Sequence, residues 1–204
     1  MLALSPKSAL LGLLLAFALS LTLIPLLRDK LPQDHGREHA VNGDKSKGKA
    51  RGGGVIFIPV FALVTLLAAP FSWERCAYLF LTLAAMLTGY LDDRSELPWG
   101  ELKKGLLDLL ICLLALITFM NTHESYALTI FGWRVALPWW LFAPVALFVL
   151  WAFINCCNCA DGVDGHFGSL SLVALGSLSY ALYAFCDGKD WALCALVLIG
   201  AILA

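Results

Sequence analysis

The stretch Leu81-Thr82-Leu83-Ala84-Ala85-Met86-Leu87-Thr88-Gly89-Tyr90-Leu91-Asp92-Asp93-Arg94 decides how this chain is read. An apolar run of helical length ends in two adjacent carboxylates. The pattern returns further on, where another apolar run leads into Asn155-Cys156-Cys157-Asn158-Cys159-Ala160-Asp161-Gly162-Val163-Asp164-Gly165. Around these stretches, 60% of the 204 residues are hydrophobic and the mean hydropathy is +0.81. Soluble domains carry roughly 45–50% apolar residues. The excess is spread over repeated blocks, which indicates several membrane crossings rather than one core. In such a chain the acids at helix ends are the informative residues.

A bilayer core takes about 20 apolar helical residues. The runs at residues 8–27, 54–71, 75–91, 105–120, 138–156, 168–186 and 190–204 meet that need or approach it. The expected fold is therefore an all-α polytopic membrane protein with about seven transmembrane helices. The last run reaches Ala204 without a polar flank, so residues 1–204 are expected to be one integral membrane domain cut off at its C-terminal side. The seven cysteines are odd in number, and Cys76, Cys112, Cys186 and Cys194 lie in or beside apolar runs. They are expected to act as small hydrophobes rather than as a disulfide framework. The first apolar block, with only Lys7 before it, does not have the pattern of a cleaved signal peptide. The net charge of −1 gives no basis for a nucleic-acid partner.

Charge sets the orientation. The segment from Arg28 to Arg51 holds half of the 14 basic residues. Short loops rich in Lys and Arg stay cytoplasmic. The N-terminus is then outside, and alternation places the loops at 92–104 and 157–167 inside. Ten basic residues fall inside and four outside: Lys7, Arg75, Arg134 and Lys189. In the outer segment 121–137, strand formers flank Gly132, which predicts a small extracytoplasmic β-hairpin. Trp133, Trp139 and Trp140 suit an interfacial aromatic belt.

Three polar segments are thereby expected on one membrane face. The first is Lys47-Gly48-Lys49-Ala50-Arg51-Gly52-Gly53-Gly54. Its upstream part approaches a P-loop from Gly43, but Ala50 stands where Ser or Thr must bind magnesium and no strand precedes it. As a topogenic loop it needs no chemistry, yet glycines opening a span permit close backbone approach to an anion. The second is Asp92-Asp93, with Lys103 and Lys104 downstream. Two carboxylates at the negative end of a helix dipole repel each other and the dipole. A magnesium ion, which typically uses one or two carboxylates plus substrate phosphates, relieves that cost. A solvated pair neutralised by Arg94 is the plainer alternative. The third is Asn155, Asn158, Asp161 and Asp164, polar at every third residue. That stripe drifts around a helix, so a break at Gly162 and Gly165 is expected to turn the last two acids. Cys156, Cys157, Cys159 and His166 suggest zinc only through the single Cys156-x-x-Cys159 pair, which does not make a four-ligand structural site, so apolar packing at a helix end is expected instead.

In this order the segments resemble the polyprenyl-phosphate N-acetylhexosamine-1-phosphate transferase superfamily, and within it the phospho-N-acetylmuramoyl-pentapeptide transferases. Gly48 to Gly54 stands where that family has a Gly-Thr-Pro-Thr-Met-Gly-Gly-like loop, and Gly89-Tyr90-Leu91-Asp92-Asp93 where it has its Asp-Asp motif. Asn155-x-x-Asn158-x-x-Asp161-Gly162-x-Asp164-Gly165 matches its Asn-x-x-Asn-x-x-Asp-Gly-x-Asp-Gly signature. The family's later metal-binding Asp, in a Gly-Asp-x-Gly-Ser-like loop, and its histidine-rich loop have no counterpart here, and His166 replaces a usual apolar residue.

The resemblance implies a magnesium-dependent phosphotransferase in the bacterial inner membrane. Its partners are a UDP-sugar peptide, undecaprenyl phosphate and the lipid bilayer, with a homodimer as candidate assembly. It implies Asp92, Asp93 and Asp161 as catalytic residues, with Asp93 and Asp161 at the metal. Lys47, Lys49, Lys103, Asn155, Asn158 and Asp164 are implied to bind substrate. A UDP-N-acetylglucosamine enzyme of the same superfamily, an ion-coupled transporter and an inactive membrane fragment are the rival readings.

Overall fold

The computed structural model describes residues 6–34, 47–95, 97, 99–130, 133–160, 165–186 and 188–204. Seven α-helices are present among them: α1 (Pro6–Leu27), α2 (Gly54–Ala68), α3 (Trp73–Arg94), α4 (Glu101–Thr122), α5 (Trp139–Ala160), α6 (His166–Ala184) and α7 (Lys189–Ile202). Each falls on a run expected to span the bilayer. Residues 7–30, 101–122, 139–158 and 166–184 are long and apolar enough to cross one by themselves. The 15 residues of α2 rise about 22 Å, less than a full hydrocarbon core. Many large side chains face outward, including Leu11 (68% exposed), Phe148 (66%) and Val173 (70%). In water, apolar surface on that scale drives association; in hydrocarbon it is an ordinary lipid-facing surface. The chain is an all-α polytopic membrane protein.

Several hydroxyls inside these helices are satisfied locally, although those of Ser20 and Thr65 are buried without a hydrogen-bond partner among the described residues. The hydroxyls of Thr22, Thr82, Thr118 and Ser177 each donate to the carbonyl four residues earlier. That removes the cost of a bare hydroxyl in lipid without a partner helix.

The chain divides into two compact units. The first holds Met1–Phe71, Met86–Pro98 and Gly168–Ala204. Within it α1 packs on α2 and α7, and α2 packs on α7. Small residues permit this. A Cβ at Gly200 would run into the backbone of Leu13, and one at Gly12 would stand 3.0 Å from Val197. Without a hydrophobic drive between helices in lipid, such close approach is a main source of association. Val64, Leu193 and Val197 are fully buried there, and Ser179 Oγ donates to Ala192 O at 3.1 Å, tying α6 to α7.

The second unit holds Ser72–Ala85 and Trp99–Phe167. Helices α4 and α5 pack together, joined by the expected hairpin. Strands β1 (Ala127–Ile130) and β2 (Trp133–Ala136) pair antiparallel, with Ala127 opposite Ala136 and Ile130 opposite Trp133. A lone two-stranded hairpin is marginal in water. This one is anchored at its base, where Tyr126 stacks on Phe142 at 4.6 Å and Phe142 on Phe119 at 5.7 Å. His123, for which no partner is evident in the sequence, stacks on Phe119 at 4.3 Å and lies 3.8 Å from Glu74.

Candidate active site

The end of α3 is where chemistry-bearing residues meet. Asp92 and Asp93 occupy its last turn and are both half-buried, whereas Arg94 is exposed. The helix stops because Ser95 takes over its final carbonyl: the Ser95 N–H and hydroxyl both donate to Asp92 O, at 3.1 and 2.7 Å. The two acids are thus fixed at the negative end of the helix dipole.

The basic loop reaches them through its base. Residues 31–34 and 47–51 form a short antiparallel ribbon, with a bridge between Gln33 and Ala50. Asp34 N donates to Lys49 O at 2.8 Å, Gly48 N to Asp34 O at 2.9 Å, and Arg51 N to Pro32 O at 2.8 Å. This ribbon delivers Arg51 to the acids. Its Nη2 lies 3.3 Å from Asp93 Oδ1, and its Nε lies 4.0 Å from Asp34 Oδ2. Gly52 follows with φ +71, a left-handed backbone. A Cβ there would stand 3.1 Å from the Tyr90 ring and 3.6 Å from Asp93 Oδ2. Glycine is required at this point for both its backbone and its bareness. Gly53 and Gly54 then open α2. Of the residues expected in the site, Lys47 and Lys49 lie exposed on this ribbon.

Lys103, Asn155 and Asn158 belong to the second unit. Lys103 is exposed in the first turn of α4, and its Nζ sits 3.2 Å from the centroid of the Trp99 ring. Trp151 Nε1 donates to Gly105 O at 3.0 Å, which ties α5 to the start of α4. One turn on, Asn155 Nδ2 donates back to Trp151 O at 2.8 Å. Asn158 is exposed near the end of α5. Asp161 and Asp164 lie outside the described residues. Gly165, just before α6, has φ +76; the expected turn that redirects Asp161 and Asp164 lies outside the described residues.

Among the described residues no three His, Cys, Asp or Glu side chains cluster as a ready-made metal cage. The donors at the end of α3 are nevertheless hard carboxylate oxygens, half-buried and adjacent. They suit a hard divalent cation that takes its remaining ligands from water and phosphate. Asp34 and Arg51 were not among the expected site residues. Arg51 lies in the glycine-rich loop that was, but its partners are 17 and 42 residues away, and residue spacing carries no signal for such pairs.

A polytopic membrane protein with an acid pair ending one helix and a glycine-rich basic loop against it is a narrow class. A family model described as glycosyl transferase family 4 matches residues 76–204, and the chain belongs to that family. It is 36% identical over 196 residues to the phospho-N-acetylmuramoyl-pentapeptide-transferase of Treponema pallidum subsp. pallidum, and equally to that of Treponema pallidum strain Nichols. The match covers 85% of this chain and 53% of each relative, so the chain spans about half the length of the curated relatives it matches.

Proposed function

We propose that this chain belongs to an enzyme that transfers phospho-N-acetylmuramoyl-pentapeptide from its UDP derivative to undecaprenyl phosphate, giving lipid I and UMP. The observation that carries the reading is the docking of the basic loop on the Asp92–Asp93 end of α3. The relatives' names supply the substrate class. The basic-residue asymmetry favours a site at the cytoplasmic face of the bacterial inner membrane, with the N-terminus outside. There a lipid phosphate from the bilayer meets a nucleotide sugar from the cytosol.

The reaction exchanges one phosphoanhydride for another. A phosphate oxygen of the lipid attacks the sugar-bearing phosphorus, the bond to UMP breaks, and UMP leaves with the electron pair. Such transfers depend mainly on positioning and charge. Asp92 acts as base toward the lipid phosphate. Asp93 and Asp161 would hold magnesium, and Asn155, Asn158 and Asp164 would hold the nucleotide sugar. Lys47, Lys49 and Lys103 offset phosphate charge. Magnesium, when bound, would neutralise charge developing on the departing UMP.

The test is UMP release from UDP-N-acetylmuramoyl-pentapeptide by the protein in bilayers, with UDP-N-acetylglucosamine as the competing donor. Asp92→Asn is expected to lower turnover by about 10²–10⁴-fold, the usual range for general acid–base groups, and Asp161→Asn to lower turnover together with affinity for the metal. Near-normal turnover in a folded Asp92→Asn variant removes its catalytic assignment. Preference for the N-acetylglucosamine donor moves the protein to the sister activity.

A further inference from the structure

One cation is shared between two acids at the loop junction, and the proposed reaction has so far given it no task. Asp34 is 16% exposed, Asp93 26% and Arg51 39%, so these charges are screened less than those of a fully solvated pair. Main-chain bonds from Arg51 to Pro32, and from Asp34 to Lys49, fix the backbone at both residues, and the two acids flank the guanidinium. Gly52, bare and left-handed, lets the ribbon come close enough.

A divalent cation at Asp93 must therefore approach the guanidinium paired with that acid. Over a few ångströms in a half-buried site, that repulsion outweighs the rotamer freedom Arg51 removes from Asp93. A diphosphate changes the balance, because it brings negative charge to both cations. Resting on the transferase reading, we propose that Arg51, clamped by Asp34, is a resident counter-cation on Asp93. It keeps affinity for the divalent metal low until the diphosphate of the nucleotide sugar arrives. Arg51 is then a positioning residue that acts through Asp93. Metal and nucleotide binding become mutually dependent, and linkage requires each to strengthen the other by the same factor.

The test needs no turnover. Mn2+ binding is measured by electron paramagnetic resonance on the protein in nanodiscs, without lipid acceptor, with and without UDP. In the unmodified protein UDP should tighten Mn2+ about tenfold or more, within the usual range of coupling between sites. Arg51→Gln should bind Mn2+ alone about tenfold tighter than the parent, and UDP should then add little. Arg51→Lys keeps the charge and should keep the parent's weak binding. Asp34→Asn, which leaves the guanidinium to Asp93 alone, should weaken Mn2+ further. Damage to the fold lowers affinity in every variant, so tighter binding in Arg51→Gln cannot arise from damage. Unchanged or weaker Mn2+ binding in Arg51→Gln, or tight binding in Arg51→Lys, overturns the proposal while leaving the transferase reading intact. Asp93→Asn separates the two. Unchanged Mn2+ affinity in that variant removes the metal from Asp93 and the counter-cation role with it, whereas UMP release tests the transferase reading independently.

Discussion

The end of α3 and the junction of α4 with α5 are both polar ends of apolar helices, yet they are built on opposite plans. At α3, side chains from distant parts of the sequence meet: Arg51 reaches Asp93 at 3.3 Å, and Gly52 makes room for Tyr90 and Asp93. At the other junction the polar groups are mostly spent close to home. Asn155 bonds to its own helix at Trp151, Lys103 rests on the Trp99 ring four residues away, and one long-range bond, from Trp151 to Gly105, holds the helices together. The first end is organised around charge that needs a counter-ion. The second is organised around helix placement. Substitutions should therefore change chemistry at the first and mainly stability or substrate affinity at the second.

The largest contrast is expected at Gly52. Alanine there must adopt a left-handed backbone, at roughly 1–2 kcal/mol, and its methyl must push the Tyr90 ring from 3.1 Å. The ribbon should retreat from Asp93, and UMP release should fall by more than the loss of stability explains. Gly53 is the matched control. It has φ −53 and open space where a methyl would sit, so Gly53→Ala should be close to neutral in both thermal unfolding and turnover. Equal behaviour of the two variants would erase the distinction between a fitted and an unfitted glycine in this loop.

A smaller effect is expected at Trp151. Phenylalanine keeps most of the ring but loses the bond to Gly105 O, worth about 1 kcal/mol. The melting temperature should drop by a few degrees, with turnover per folded molecule nearly unchanged. If turnover collapses while the melting temperature holds, the α4–α5 junction is chemical rather than structural, and the comparison fails on that side.

How much of this was visible in the sequence follows the same division. The helices were legible because hydropathy is a one-dimensional signal: the runs at 105–120 and 138–156 became α4 and α5 with a few residues added at their ends. The hairpin was legible from strand formers around Gly132, and its pairing is regular. Asp92 and Asp93 were legible because acids closing an apolar helix demand an explanation. Arg51 and Asp34 were not, because a side-chain contact between a loop and a remote helix end leaves no periodic trace. The anchoring of the hairpin on Phe119, Tyr126 and Phe142 leaves no sequence signal for a related reason. Aromatic residues at a bilayer edge read as belt residues whether or not they touch each other.

The smallest expected effect is at Lys103. A cation over an aromatic ring at an exposed site contributes about 0.5–1 kcal/mol, and Lys103 is exposed in the first turn of α4. Lys103→Ala should leave stability nearly untouched, because Trp99 can meet solvent in its place. If Lys103 also offsets phosphate charge, the same substitution should raise KM for the nucleotide sugar several-fold and leave kcat alone, the pattern of a group that binds substrate and transition state equally. Trp99→Ala separates the two roles: it removes the ring but keeps the cation, so KM should stay near the parent value. A rise in KM for Trp99→Ala equal to that for Lys103→Ala would mean that the ring must hold the lysine in place for it to act. The second polar end would then depend on side-chain placement as much as the first.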